Sequence, residues 1–204
     1  MKGLLIKDLL VLKNQARITL IIILFFGIMS ASGSGSSAFG LMITLFFAIL
    51  PITALAYDER AKWPKYALTM PLSRTDLVLS KYILGLIFCA AAFVLNIIFQ
   101  SLTDAEFTRA SWMIALALLS IGIVLLSVLL PIMFKFGVEK GRLLMLLILF
   151  IPTGLIVFLS KKGVAIPGVA IIKSLAAYAP LIIIAALVLS FLLSLHIYQK
   201  KEMQ

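Results

Sequence analysis

The amino-acid sequence predicts an all-α integral membrane protein. Hydrophobic residues make up 63% of the 204 residues and charged residues 13%, whereas a soluble domain is about half apolar and about a quarter charged. The mean hydropathy is +1.20, and the apolar residues fall in long runs separated by short polar stretches. Composition and patterning therefore place the apolar runs in lipid, as transmembrane helices.

Six apolar segments are long enough, or nearly so, to cross a bilayer, which takes about 20 residues. They cover roughly residues 18–33, 38–57, 80–101, 111–134, 143–160 and 178–198. Pro51 and Pro131 lie inside the second and fourth segments, where each permits a kink. We therefore predict six transmembrane helices in a single domain.

Basic residues predict the orientation of these helices. The stretches 1–17, 58–81 and 135–142 and the C-terminal tail carry 14 of the 18 Lys and Arg residues, and the opposite side carries four. Because basic residues are enriched in cytoplasmic connections, both termini and the 58–81 stretch are predicted to be cytoplasmic.

Residues 1–17 are too polar to enter the hydrocarbon and predict an amphipathic helix in the cytoplasmic interface. Its apolar residues share one face at helical spacing: Leu5, Leu9, Leu12 and Ala16. Its polar residues are predicted to turn away from that face: Lys7, Asp8 and Asn14. The alternative is that this segment is only a charged flank of the first span.

The longest polar interruption of the chain lies between the second and third spans. Pro64 suits the first position of a helix, and Pro71 disfavours the α conformation at Met70. The stretch from Pro64 to Met70 therefore predicts about two helical turns. Ser73 to Asp76 has the form of a capping box and predicts the start of the next helix.

A second irregular segment, residues 161–177, precedes the last span. It is too polar at its ends and too short to cross the membrane, although Val164 to Ile172 is apolar. We predict a partly inserted or re-entrant external segment, broken at Pro167 and Gly168.

The sequence argues against an enzyme, and no catalytic or metal-binding residues are predicted. The nearest candidate for a phosphate-binding loop, Gly163 to Gly168, is followed by Val169 where a lysine is required. The one histidine, His196, is predicted a full bilayer away from the serine cluster at 30–37. The one cysteine, Cys89, cannot form a disulfide or a Cys-ligated metal site within the chain.

The net charge of +10 does not indicate a nucleic-acid partner, because the basic residues are divided between apolar runs instead of forming one soluble face. No span carries an ionisable group near its middle, which disfavours an ion-coupled carrier. The polar side chains predicted at membrane depth could line a substrate path or join helices by hydrogen bonds. They are Thr44, Thr53, Asn96 and Gln100.

The predicted topology and the stretch after the second span resemble the permease subunits of type-2 ABC exporters. The likeness is to the short bacterial branch that includes exporters of phenol-soluble modulins and antimicrobial peptides. The residues that carry it are Asp58, Glu59, Arg60, Trp63, the run from Leu68 to Arg74, Val78, Lys81 and Tyr82.

The resemblance implies that the 58–79 stretch is a cytoplasmic coupling segment, with its coupling helix between Asp58 and Met70, that docks on a separate ABC ATPase. The residues implied in this contact are Asp58, Glu59, Arg60, Lys62, Trp63, Lys65, Tyr66, Leu68, Thr69, Met70 and Arg74. It also implies a complex of two ATPases and two permeases, identical or related, in the bacterial plasma membrane. This chain would hold no cofactor, since ATP and Mg would bind to the partner.

The leading functional hypothesis is an exporter of amphipathic or antimicrobial peptides. An alternative from another class is a membrane anchor that recruits a cytoplasmic ATPase for peptide immunity without transporting anything. An ion-coupled carrier is the third alternative. The sequence alone does not identify the cargo, nor whether the second permease is a copy of this chain.

Overall fold

The computed structural model describes residues 2–30, 36–67, 69–70, 73–103, 108–147, 150 and 179–200. Seven helices are found among these residues, which agrees with the predicted all-α class. The helices are α1 (Lys2–Met29), α2 (Ser36–Arg60), α3 (Trp63–Ala67), α4 (Arg74–Thr103), α5 (Arg109–Phe136), α6 (residues 138–147) and α7 (Ala179–Lys200).

Four of the described helices, α2, α4, α5 and α7, are long and apolar enough to cross a membrane. Helix α1 provides a fifth candidate if its two arms count as one span. The described residues therefore confirm four or five of the six predicted spans. The predicted span 143–160 lies mostly outside the described residues, and the external segment 161–177 lies wholly outside them.

Helix α1 is bent. Its arms, Gly3–Lys13 and Arg17–Met29, meet at an angle of 66°. The bend coincides with the sequence boundary at which charged residues give way to the first apolar run. That the first arm lies in the membrane interface stays a prediction, and the side chains of Asn14 and Ala16 lie outside the described part of the chain.

The buried face of the first arm differs from the predicted one. Leu4, Asp8 and Leu12, which are one turn apart, are buried, whereas Leu9 is 44% exposed. Leu4 and Leu12 pack into the hydrophobic core. Asp8 was predicted to face away from the apolar side, but it shares a face with these leucines because it lies four residues from each. The charge is tolerated there because it is paired, as described below.

Helices α2, α4 and α5 pack against one another, α7 packs against α4 and α5, and α1 packs against α2 and α4. The close approach of α4 and α5 depends on Gly85, where an added Cβ would lie 1.9 Å from Leu126 Cδ1. Gly40 likewise lets α2 approach α4, since an added Cβ there would lie 2.2 Å from Asn96 Oδ1. Small residues at such crossings let helix backbones come close together in membranes.

We call one end of this bundle the basal end. It contains the end of α2, the start of α4 and the end of α7, and it is covered by the short helix α3. The largest group of buried apolar side chains lies here, and all seven helices contribute to it. The functional residues predicted around α3 therefore rest on a packed base.

The connection between α2 and α4 is partly as predicted. The capping box is confirmed, since Ser73 Oγ accepts a hydrogen bond from the Asp76 amide and Asp76 accepts one from the Ser73 amide, both at 3.1 Å. The short helix, predicted from Pro64 to Met70, is wrong in extent and ends at Ala67.

A tighter turn follows Ala67, because the Thr69 and Met70 amides bond to carbonyls three residues earlier. The Thr69 hydroxyl also donates to the Tyr66 carbonyl at 2.8 Å. A local side-chain bond of this kind competes with continuation of the helix. Helix α2 is longer than predicted and takes in Asp58, Glu59 and Arg60.

The packing at Gly85 yields a stability prediction. Gly85→Ala should lower the apparent melting temperature of the purified protein in detergent, because overpacking costs about 1 to 3 kcal/mol and exceeds the gain in helix propensity of up to about 1 kcal/mol. Gly3→Ala is the control, since an added Cβ there meets nothing within 4 Å. An equal or higher melting temperature for Gly85→Ala than for Gly3→Ala would contradict this packing.

Candidate functional site

Four charged side chains from three helices meet at the basal end. Lys7 and Asp8 belong to α1, Asp58 to α2 and Lys81 to α4. Lys7 Nζ lies 3.0 Å from Asp8 Oδ1 and 2.5 Å from Asp58 Oδ1. Lys81 Nζ lies 2.7 Å from Asp8 Oδ2 and 2.5 Å from Asp58 Oδ2. Each lysine thus bridges both aspartates, and we call this closed set of four residues the ion ring.

Three members of the ion ring are buried, and the fourth, Lys7, has a side chain that is 23% exposed. Asp8 is 1% exposed, Lys81 4% and Asp58 7%. Isolated charges in such a place would be strongly destabilising, but two positive and two negative charges in mutual contact compensate one another. Because every charge has two partners on the ring, a shift of α1, α2 or α4 alone would leave a buried charge without part of its compensation. The ring therefore fixes the relative positions of three helices.

Sequence reasoning missed this ring. It assigned Asp58 to an ATPase contact and turned Lys7 and Asp8 to the outside. One signal was present: Asp8 lies on the same helical stripe as Leu4 and Leu12. A lone acid within an apolar stripe needs a buried cation as its partner.

Helix α3 contacts the ion ring through Trp63. Lys7 Nζ lies 4.6 Å from the centre of the Trp63 ring, within the range of a cation–π interaction. Trp63 also packs against the basal core, and Ala67, one turn later, is fully buried there. The inner face of α3 is thus held both by apolar packing and by one of the ring lysines.

The outer face of α3 is exposed. Tyr66 is 61% exposed and Met70, in the following turn, is 49% exposed. Lys62 and Thr69 are also exposed, and Lys62 adopts a positive φ of 50° where the chain turns from α2 into α3. The side chains of Lys65 and Leu68 lie outside the described part of the structure. An aromatic ring and a thioether therefore project away from the bundle, next to polar groups.

Two other residues predicted for the ATPase contact bond within the bundle. Arg74 Nη1 donates to the carbonyls of Tyr198 and Gln199, at 3.3 and 2.5 Å, and so caps the end of α7. Glu59 Oε2 accepts a 2.7 Å hydrogen bond from the Val138 amide at the start of α6. A buried or committed side chain is less available to a partner, so these residues support the base on which α3 rests. Arg60 is exposed and is considered below.

Some of the polar residues predicted at membrane depth connect two helices, and others do not. Asn96 Nδ2 lies 3.3 Å from Thr44 Oγ1 and 3.4 Å from the Gly40 carbonyl, which joins α4 to α2. Thr53 donates to the Ile49 carbonyl of its own helix at 3.4 Å. Gln100 is fully buried, and its side-chain oxygen and nitrogen have no partner among the described residues.

A network of hydroxyl groups, which sequence reasoning missed, joins α4, α5 and α7. The Tyr82 hydroxyl lies 2.6 Å from Ser190 Oγ and 2.8 Å from Ser194 Oγ. Ser190 in turn donates to the Ser127 carbonyl at 2.5 Å. The signal in the sequence was the spacing of Ser190 and Ser194, which places two hydroxyl groups on one face of an apolar helix.

The ion ring can be tested by removing one charge and then its partner. Lys81→Met should destabilise the protein by about 3 to 5 kcal/mol, because it leaves the ring with an excess buried negative charge. Adding Asp8→Asn restores neutrality and should recover about 1 to 3 kcal/mol. Thermal melting of the purified variants measures both effects.

Lys13→Met is the matched control for this experiment, since Lys13 is exposed on the same arm as Lys7. It should leave the melting temperature nearly unchanged. Asp8→Asn is also measured alone. If it lowers the stability of Lys81→Met by as much as it lowers the stability of the wild type, Asp8 and Lys81 are not coupled. The ring would then make no cooperative contribution to stability.

Comparison with known protein families identifies the kind of protein that carries this site. The family model of the ABC-2 family transporter proteins matches residues 3–199, nearly the whole chain. Membrane permeases of this family have no ATPase activity themselves and generally pair with an ATPase subunit. No curated protein and no solved structure matches the chain. The chain belongs to the ABC-2 family, as the membrane permease component of a transporter.

Proposed function

We propose that this permease works in an ATP-driven exporter and that α3 is the element that docks on the ATPase. The observation that carries the proposal is the two-sided character of α3. Its outer face exposes Tyr66 and Met70, and its inner face is anchored by Trp63 and Ala67. Aromatic residues and methionine are enriched in the cores of protein interfaces, where they supply much of the binding energy.

The ion ring gives the docked helix a connection to the membrane bundle. A displacement of α3 acts on Trp63, which contacts Lys7, and Lys7 is joined to α2 and α4 through the aspartates. The ring therefore makes α1, α2 and α4 respond together and not one at a time. Closure of the ATPases on ATP would move this group of helices as a rigid body.

The working complex contains two ATPase subunits, two permeases and the surrounding lipid. ATP and Mg bind to the ATPases, and the second permease is a copy of this chain or a related one. The excess of basic residues in the stretches that include the basal end supports a cytoplasmic location for this end and for both termini. The membrane is the bacterial plasma membrane.

The cargo is an amphipathic or antimicrobial peptide. The family resemblance supports this assignment, as do the many exposed apolar side chains of the helices, which suit an amphipathic cargo. A second candidate function is a non-transporting anchor for the ATPase. It is favoured by the engagement of Asn96 and Thr44 in a contact between helices of one chain, because these groups are then not free to line a peptide path.

The docking role of α3 predicts unequal effects of two substitutions. Tyr66→Ala should lower the amount of ATPase that co-purifies with the tagged permease by about tenfold, since it removes an aromatic anchor from the interface. Lys62→Ala is the matched control from the same exposed segment and should reduce recovery by less than about threefold, because a charge at the rim contributes little. Quantitative mass spectrometry of complexes purified in mild detergent measures both.

Equal recovery of the ATPase with the two variants would contradict docking through the outer face of α3. The melting temperature of each isolated permease must stay close to that of the wild type, which is expected because both side chains are exposed. ATP-dependent movement of a labelled amphipathic peptide into vesicles with the complete complex distinguishes the exporter from the anchor, since the anchor predicts ATP hydrolysis without transport.

A further inference from the structure

A second site lies at the basal end, away from the outer face of α3. It is a cavity of about 350 Å³ where the end of α2 meets the junction of α5 and α6. This volume is within the range of ligand-binding pockets, at its lower end. Three basic side chains line the cavity: Arg60 of α2, and Lys140 and Arg142 of α6.

The walls of the cavity are held in place by a specific connection. Helix α5 ends at Phe136 and is followed by Gly137, whose φ of +78° is a conformation that favours glycine. The Glu59 carboxylate accepts a hydrogen bond from the Val138 amide, and this bond holds the start of α6 against the end of α2. The opening between these helices is therefore built into the fold.

The basic groups of the cavity are available to a ligand. Within the described part of the chain, Arg60, Lys140 and Arg142 take part in no ion pair, since the salt bridges found there all belong to the ion ring. Two carboxylates also line the cavity, Glu59 and Glu139. One oxygen of Glu59 is bound to the Val138 amide, and the three cations exceed the two anions by one charge.

The surroundings of the cavity indicate the kind of anion. Phe136, which lines it, is 46% exposed, and Leu143, just beyond Arg142, is 66% exposed. Exposed apolar side chains on a membrane helix face lipid tails, whereas basic side chains at the end of a span lie level with the headgroups. A ligand that reaches both regions has an anionic head and an apolar tail.

We propose that this cavity binds the phosphate group of an anionic phospholipid from the adjacent leaflet. Arginine and lysine side chains between membrane helices are suited to such headgroups, and guanidinium groups can bind phosphate oxygens in pairs. The acyl chains of the lipid then lie along Phe136 and Leu143. The site does not depend on the docking of α3 or on the identity of the cargo.

Native mass spectrometry of the full chain, released from nanodiscs with equal amounts of phosphatidylglycerol and phosphatidylcholine, tests this proposal. The wild-type protein should retain phosphatidylglycerol in preference to phosphatidylcholine. The variant Lys140→Gln/Arg142→Gln should lower the ratio of the two retained lipids by about tenfold, because both cations act near the phosphate. The control Lys13→Gln/Arg17→Gln removes the same charge from exposed positions on α1 and should keep the wild-type ratio.

Equal retention of the two lipids by the wild-type protein would overturn the proposal, as would an equal loss of preference in both double variants. The melting temperature of each variant is measured in parallel, and the comparison is made between variants that match the wild type. A further arm adds inorganic phosphate to the protein in detergent. If phosphate raises the melting temperature as much as phosphatidylglycerol does, the cavity is a site for free phosphate and the lipid assignment is wrong.

Discussion

The mutual compensation of two lysines and two aspartates at the basal end constrains much of this structure. A single buried charge would be strongly destabilising, but Lys7, Asp8, Asp58 and Lys81 each face two charges of opposite sign. This requirement, together with the packing of Leu4 and Leu12 into the core, keeps the first arm of α1 against α2 and α4. A buried ion pair often adds little net stability compared with apolar packing, but here it favours the one arrangement in which all four charges are paired, and this property suits the proposed transmission of movement.

The base around the ring is completed by hydrogen bonds that end or begin helices. Arg74 caps α7, Glu59 caps α6, and Ser73 with Asp76 starts α4. These contacts leave α3 as a small element that rests on a packed, hydrogen-bonded base and exposes Tyr66. In the proposed exporter this combination lets a movement of the ATPase reach several helices at once, because little of it is absorbed by the connection.

Much of the fold could be predicted from the sequence because hydropathy and proline positions act locally. The spans α2, α4, α5 and α7 and the capping box at Ser73 followed from such patterns. The position of Asp8 could not be predicted in this way, because its partner Lys81 is 73 residues away and only the tertiary structure brings the two together. For the same reason Arg74 and Glu59 were assigned to a partner protein, since a charged residue in a polar stretch does not reveal that a carbonyl or an amide of another helix lies within reach.

In the proposed mechanism the ion ring couples α3 to α1, α2 and α4. Hydrogen–deuterium exchange of the full chain in nanodiscs, compared between the wild type, Asp58→Asn and the exposed control Glu139→Gln, tests it most directly. Asp58→Asn should increase exchange in the first arm of α1, residues 3–13, and in α3, residues 63–67, because these segments are joined through the ring and Trp63. Glu139→Gln should leave exchange in both segments unchanged. An increase confined to the end of α2 itself would contradict the account.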